Sequence, residues 1–299
     1  MSDWLLSLEG TPQGQSVAIG LALAAAVLHA IFGALQKGRH DPWLSRAAID
    51  ASYALIAAPF ALFLLPWPEA HMWPIFAGVF VIHIVYKVLQ GMAYARGAYT
   101  VVYPVVRGTG PLFAVIGAGI LFGEHFNAVQ WFGVALLVGA IYGLALYNLR
   151  TITQGRDTLL PALGFAVATG LLVAVYTSYD AYGIRATAHP FSFLAWFFLI
   201  DGLSFPVVMA RRVLALPPEQ RGALARRGVI GAFVAFASFG GIMLATRLGS
   251  VGQAAVLRET STVFSALIGW LMLGERTGPR RVFLMALIAA GAIIVQVAA

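Results

Sequence analysis

The sequence predicts an all-α integral membrane protein, with ten transmembrane helices in two inverted five-helix repeats. Three observations predict it. The 299 residues are 60% hydrophobic and 10% charged, with mean hydropathy +0.85, where a soluble protein is about 25% charged. The apolar residues gather into runs of roughly twenty, each about 30 Å long as a helix and so able to cross the hydrocarbon of a bilayer. The chain also resembles itself at an offset of 151 residues, which places Arg107 over Arg258 and Glu124 over Glu275.

Taken in order, the first five spans are expected at Ser16–Gln36, Arg46–Leu65, Met72–Tyr94, Thr100–Phe122 and Ala128–Leu149. The second five follow at Leu159–Tyr182, Phe191–Met209, Gly228–Thr246, Gly252–Leu273 and Pro279–Ala298. Gly, Pro and charged residues punctuate the short connections. The longest runs from Arg211 to Arg227 and contains Pro217-Pro218, so no soluble domain fits between spans. Two domains result, a first five-helix repeat over 16–149 and a second over 159–298.

The repeat rests on seven identities in 29 positions when Arg96–Glu124 is laid over Arg247–Glu275, against about two or three from composition alone. The same offset places Asp50 over Asp201. An odd number of spans per repeat inserts the second copy upside down. Loop charge agrees. Fourteen of the nineteen Lys and Arg residues fall on alternate loops of one side, and only Arg185 and Arg247 fall on the other. By the positive-inside rule the fourteen face the cytoplasm, which leaves both termini periplasmic. The formal charge of +7 therefore reads as loop arginines that orient the chain and touch anionic lipid, with no nucleic-acid partner. Cysteine is absent, so thiol chemistry and cysteine-ligated metal are excluded. Asp3 and Glu9, with no Lys or Arg in the first fifteen residues, make the first span a retained helix and not a cleaved signal.

Charge inside the spans marks the candidate site. Arg107 and Arg258 each lie in an apolar run, where a charged side chain costs a few kcal/mol and faces a cavity or a partner. Two readings stand: they hold an anionic substrate group or pair with acids as gates, or they fix helix packing. Glu259 is about 100° around the helix from Arg258, so its expected partner is Lys87 or Arg107, or it titrates as a proton carrier. In the third span His83, Lys87, Gln90 and Tyr94 share one helical face, bordered by Tyr86. Such a polar stripe reads as a cavity wall, and Tyr176 and Asp180 of the sixth span join the candidate lining. Pro104, Gly108 and Pro111 should kink or open the fourth span and act as a hinge. Thr260, Ser261 and Thr262 should bend the ninth by bonding back to the backbone. Asp201 lies deep in its span and needs a partner, whereas Asp50, near Arg46, reads as interfacial. Glu124 and Glu275 read as parts of helix ends, each following a glycine that permits a left-handed turn. Gly139 and Gly143 read as a packing face. No cofactor or metal site is expected. The histidines are scattered, and no His-Glu-x-x-His or similar cluster supports a membrane-embedded enzyme.

Two five-span halves, short links before the fourth and ninth spans, and runs ending in Phe122-Gly123-Glu124 and Leu273-Gly274-Glu275 together resemble the drug/metabolite transporter superfamily, in particular its ten-helix EamA-type members. The resemblance covers Ser16 to Ala298. It implies a central cavity lined by the first, third, fourth, sixth, eighth and ninth spans, and export of amino acids or other small metabolites by alternating access. The chain departs from common exporters of this type at Val27-Leu28-His29-Ala30-Ile31-Phe32-Gly33, which stands in place of a tryptophan-containing segment, and at Asp50 and Asp201. The expected function is a secondary transporter in the cytoplasmic membrane moving a small amino-acid-like molecule, with protons as a candidate coupling ion. Import or exchange of another metabolite is the alternative. A monomer is expected, with a dimer as the other possibility.

Overall fold

A computed structural model describes residues 2–36, 41–97, 99–151, 159–273 and 278–299. Among these no strand occurs, and nine helices are long and apolar enough to cross a membrane. The protein is an all-helical, multi-pass membrane protein. It comprises two compact units, one formed by Met1–Ile84 with Tyr179–Leu248 and the other by Val85–Ser178 with Gly249–Ala299.

The first unit contains α1 (Ser2–Ser7), α2 (Pro12–Gln36), α3 (Pro42–Pro59), the start of α4 (Met72–Arg96), the end of α7 (Leu159–Arg185), α8 (Pro190–Leu214) and α9 (Pro218–Leu248). The α3 helix starts where sequence chemistry places a start. The Asp41 carboxylate accepts from the amides of Trp43 and Leu44 at 2.8 and 3.4 Å, and proline occupies the first turn. At its far end Pro59 is followed by a widened π turn, Phe60–Leu64, closed by the Leu65 amide donating to the Phe60 carbonyl at 2.9 Å. Lipid tails are as apolar as leucine, so tight packing and polar cross-links hold these helices together. Glycine allows that packing. A Cβ at Gly202 of α8 would lie 2.6 Å from the Asp50 carbonyl oxygen, and one at Gly228 of α9 would lie 2.7 Å from the Ala48 carbonyl oxygen. On the other side of α9, the Ser238 hydroxyl donates to the Ala25 carbonyl of α2 at 3.0 Å. The core between them is aromatic, with Tyr53, Phe76, Phe193 and Phe198 fully buried.

One polar closure lies outside the spans of this unit. Glu69, in the connection before α4, accepts from the Thr187 hydroxyl at 2.9 Å and the Ala188 amide at 3.0 Å, in the turn between α7 and α8. Burial pushes the Glu69 carboxyl up, but bonds from its own amide, the Ala188 amide and the Thr187 hydroxyl, with His189 nearby, outweigh it and hold the group below the ordinary carboxylate range. A carboxyl lowered on folding stabilises the fold above its unfolded value and loses that contribution as pH falls through the lowered one. Below about pH 4 the turn at Thr187 and Ala188 should therefore open. Hydrogen exchange at the Ala188 amide is expected to accelerate there, and Glu69→Gln should show the fast rate at neutral pH.

The second unit contains the rest of α4, α5 (Tyr99–Phe122), α6 (Ala128–Thr151), most of α7, α10 (Val251–Arg258), α11 (Ser261–Leu273) and α12 (Pro279–Val297). The sequence expects one ninth span over Gly252–Leu273, yet two short helices occupy it. At the join, Glu259 and Thr260 amides donate three residues back, to Val256 and Leu257, and those of Thr262 and Val263 do the same to Glu259 and Thr260. The Thr260 hydroxyl also bonds the Leu257 carbonyl at 2.6 Å. Hydroxyl competition for the backbone thus ends a helix where only a bend is expected. Conversely, α5 stays helical through Pro104 and Pro111, so the fourth span is not opened. Gly108, the third expected hinge residue, lies against α6, where a Cβ would come within 3.2 Å of Ile141 and Tyr142.

The α5 helix ends as its sequence indicates. Gly123 has φ +66°, its amide donates to Gly119, and the Glu124 amide reaches back to Ala118 at 3.3 Å. The Glu124 side chain does more, accepting from the Val251 and Gly252 amides at 2.7 and 3.0 Å and from the Ser250 hydroxyl at 2.5 Å. It therefore caps the start of α10 from a distant part of the chain. Gly274 and Glu275 lie outside the described residues. A close helix crossing in this unit joins α6 and α12 at Gly133 and Gly291, and Gly143 also faces α12, where a Cβ would lie 3.1 Å from Leu284. A Cβ on Gly139 meets nothing within 4 Å.

Candidate functional site

The Arg107 guanidinium is the hub of the second unit. Its Nε lies 2.7 Å from a Glu259 carboxylate oxygen. Its Nη2 donates to the Arg258 carbonyl at 3.2 Å and to the Ser261 hydroxyl at 2.9 Å. The helix break makes this possible, because the last turn of α10 presents carbonyls without a partner further along a continuous ladder. Arg258 sits beside the same carboxylate, at 4.0 Å, and donates to the Thr177 hydroxyl of α7 at 3.2 Å. Tyrosine rings flank both cations: Tyr103 lies 5.9 Å from the Arg107 guanidinium and Tyr176 lies 5.8 Å from that of Arg258. Arg107, Arg258 and Glu259 are 4%, 3% and 1% exposed. Of the two expected partners for Glu259, Arg107 is an observed one.

Arg258 is the less satisfied of the two. A guanidinium carries five N–H donors, and among the described residues its side chain makes one hydrogen bond, to Thr177. A buried cation with spare donors, a tyrosine face on one side and a shared carboxylate on the other can bind a carboxylate or phosphate bidentately.

The remaining candidates divide between the units. Lys87 is buried in α4, Gln90 donates to the Tyr86 hydroxyl at 2.7 Å, and the Tyr86 ring meets Tyr176 edge-on at 4.9 Å. Tyr94 is half-buried in α4. These, with the arginine pair and Glu259, belong to the second unit, while His83 and Asp180 belong to the first.

In the first unit His83 Nε2 lies 3.1 and 3.2 Å from the two Asp180 carboxylate oxygens, and its Nδ1 lies 3.6 Å from Asp201. Asp201 also accepts from the Tyr53 hydroxyl and lies 4.0 Å from Arg46. Asp50 is fully buried and pairs with Arg46 at 2.7 Å, which corrects its expected interfacial role. The close approach of α8 at Gly202 lies against the backbone of Asp50 itself. Thr177, Ser261 and Tyr53 are site residues that sequence reasoning misses. Only Tyr53 has a visible signal, three residues after Asp50 on the same helical face. Among the described residues no group of three or more His, Asp or Glu side chains is arranged to hold a metal ion.

No curated protein sequence matches the chain. A crystal structure of another protein superposes with a TM-score of 0.74 at 19% identity, over 95% of this chain and 98% of that one, which establishes a shared fold. Residues 160–297 match the family model of the EamA-like transporter family. The matched residues include Thr177, Arg258, Glu259 and Ser261. Over those residues the chain is similar to the EamA-like transporter family, within the drug/metabolite transporter superfamily.

Proposed function

We propose that this protein is a secondary transporter that exports a small polar or amphipathic metabolite, amino-acid-like and bearing an anionic group, across the cytoplasmic membrane by alternating access. The observation that carries the reading is Arg258, a buried guanidinium that, among the described residues, has one hydrogen bond and a half-share of one carboxylate. A substrate carboxylate would take its spare donors, and Glu259 balances the remaining charge through Arg107. Pro104, Gly108 and Pro111 serve as the hinge of α5. Both termini face the periplasm, and the monomer is the working unit.

The proposal includes ten spans in two inverted repeats, with α10 and α11 together forming the ninth span. Support comes from packing and from site chemistry. α3 packs on α8, α5 on α10 and α6 on α12, each pair joining spans that correspond at the repeat offset. Residues 151 apart also share one counter-ion: Asp50 and Asp201 share Arg46, and Arg107 and Arg258 share Glu259.

The test is Arg258→Ala in proteoliposomes supplied with radiolabelled amino acids. Glu259 keeps its 2.7 Å pair with Arg107, so the variant should fold with a nearly unchanged thermal midpoint. Flux is expected to fall at least about tenfold, the factor that some 1.4 kcal/mol of lost binding produces. Unchanged flux would refute the site, and a wild type that moves no amino acid would refute the cargo.

A further inference from the structure

A cleft on the arginine-rich side of the first unit takes no part in the transport reading. It lies where α3 and α9 diverge, just before Gly228 and Gly231 bring them together against the Ala48 carbonyl and the Ile49 side chain. Its volume is about 370 Å³. The start of α3 supplies Leu44 and Ser45, and Gln220, Ala223, Leu224 and Arg227 of α9 supply the facing wall. Those four recur at i, i+3, i+4 and i+7, so they form one helical face. Leu216 adds to the lining from a turn that the Arg221 guanidinium holds, donating to the Leu214 and Leu216 carbonyls at 2.7 and 2.8 Å.

Two features set the depth of this cleft. α9 has 31 residues and is about 46 Å long, whereas the hydrocarbon takes about 30 Å. Residues 228–248 carry no charge before Arg247 and fill that thickness. Residues 218–227 hold Glu219, Arg221, Arg226 and Arg227 and extend beyond it. Arg227 is thus the last cation before the apolar span. On α3, Trp43 stacks on Phe205 with ring centres 5.7 Å apart, an amphipathic ring of the kind that marks a membrane–water boundary. The cleft therefore sits at headgroup level. Its outer wall is polar and cationic, and one turn inward from Arg227 the Ile230 side chain is 47% exposed.

We infer that this cleft binds one anionic phospholipid, with its phosphate on Arg227 and its polar headgroup reaching outward along α9 to Gln220. Charge selects the class of ligand. Five arginines lie between residues 211 and 227, against one acid, Glu219. Asp41 also borders the cleft, but its carboxylate is taken up by Arg212 at 2.5 Å and by the Trp43 and Leu44 amides. Arg227 is half-buried, and among the described residues its guanidinium has no ion pair. A guanidinium offers phosphate a planar fork of donors, to which the Gln220 amide and Ser45 hydroxyl add neutral ones. Leu44, Leu216 and Leu224 want carbon against them, which a lipid supplies and a free phosphate lacks. The inference does not depend on what the protein transports.

The test is native mass spectrometry of the full-length protein released from nanodiscs of phosphatidylglycerol and phosphatidylcholine in equal parts. Wild type should retain one phosphatidylglycerol in preference to phosphatidylcholine. Arg227→Gln should lower that retention at least about tenfold, the effect of losing one charge-assisted contact. Arg226→Gln removes the same charge about 100° around the helix, outside the cleft, and should retain the lipid. Ala223→Phe keeps every charge, fills the cleft and should lose the lipid too; it decides the matter if Arg227→Gln does not fold. Added glycerol 3-phosphate, which has the phosphate and no acyl chain, should leave the lipid in place. Equal losses in Arg226→Gln and Arg227→Gln would reduce the effect to general surface attraction and overturn the site. So would wild type with no preference, or Ala223→Phe with undiminished retention. Displacement by glycerol 3-phosphate would make the occupant a soluble anion and overturn the lipid.

Discussion

Glu259→Ala is expected to be the most damaging single change in the second unit. Arg107 loses its 2.7 Å ion pair, and Arg258 loses the carboxylate beside it. Both cations stay buried. Removing one member of a buried ionic group typically costs roughly 3–5 kcal/mol, because the charge left behind has neither water nor a counter-ion. The thermal midpoint in detergent should drop well below wild type, and transport should be lost with it. Arg258→Ala should separate the two effects, losing flux with the fold intact. If Glu259→Ala melts with wild type, the Arg107–Glu259 pair is not what holds α5 to the helix break.

Gly291→Ala should come second. One added methyl on α12 would lie 2.6 Å from the Gly133 carbonyl oxygen and 2.8 Å from the Leu137 Cβ and backbone nitrogen, all on α6. Backbone atoms cannot rotate aside, so the two helices must separate along their crossing. Overpacking of this kind costs about 1–3 kcal/mol. Gly133→Ala should cost a similar amount, since its Cβ would lie 2.8 Å from the Gly291 carbonyl oxygen. The double variant should cost less than the sum, because one separation accommodates both methyls. Gly139→Ala, which meets nothing within 4 Å, is the control and should be neutral or mildly stabilising. Thermal melting of the four variants and wild type decides it, and equal melting of Gly291→Ala and wild type would refute the crossing.

The nine apolar helices among the described residues were legible because hydropathy is a local property. The third span, expected at Met72–Tyr94, is a helix over Met72–Arg96, and the first, expected from Ser16, starts at Pro12. The unusual charges were legible too, since Arg107, Arg258 and Glu259 stand out in any apolar run. What escaped depends on partners distant in sequence. Asp50 looked interfacial from its neighbour Arg46, and nothing local says that Gly202 brings α8 against it. Of Gly139 and Gly143, which have the right spacing for a packing face, only Gly143 lies against α12, and spacing alone does not say which face of α6 meets it. The break at Glu259 escaped for another reason. Three hydroxyl residues in a row are tolerated in most helices, and here the Arg107 guanidinium is available to take up what the ladder drops. Proline, the stronger local signal, lay in α5 and left the helix unbroken.

The interrupted stretch from Val251 to Thr262, buried at every position but Gln253, also fixes which walls of its unit can be greasy. Irregular backbone cannot border acyl chains, where a missing hydrogen bond finds no substitute. The join must stay jacketed by protein throughout the working cycle, leaving contact with lipid to regular helices such as α6 and α12. Under the proposed transport cycle, any motion that carried cargo past Arg258 would have to slide that jacket without ever peeling it open to the hydrocarbon.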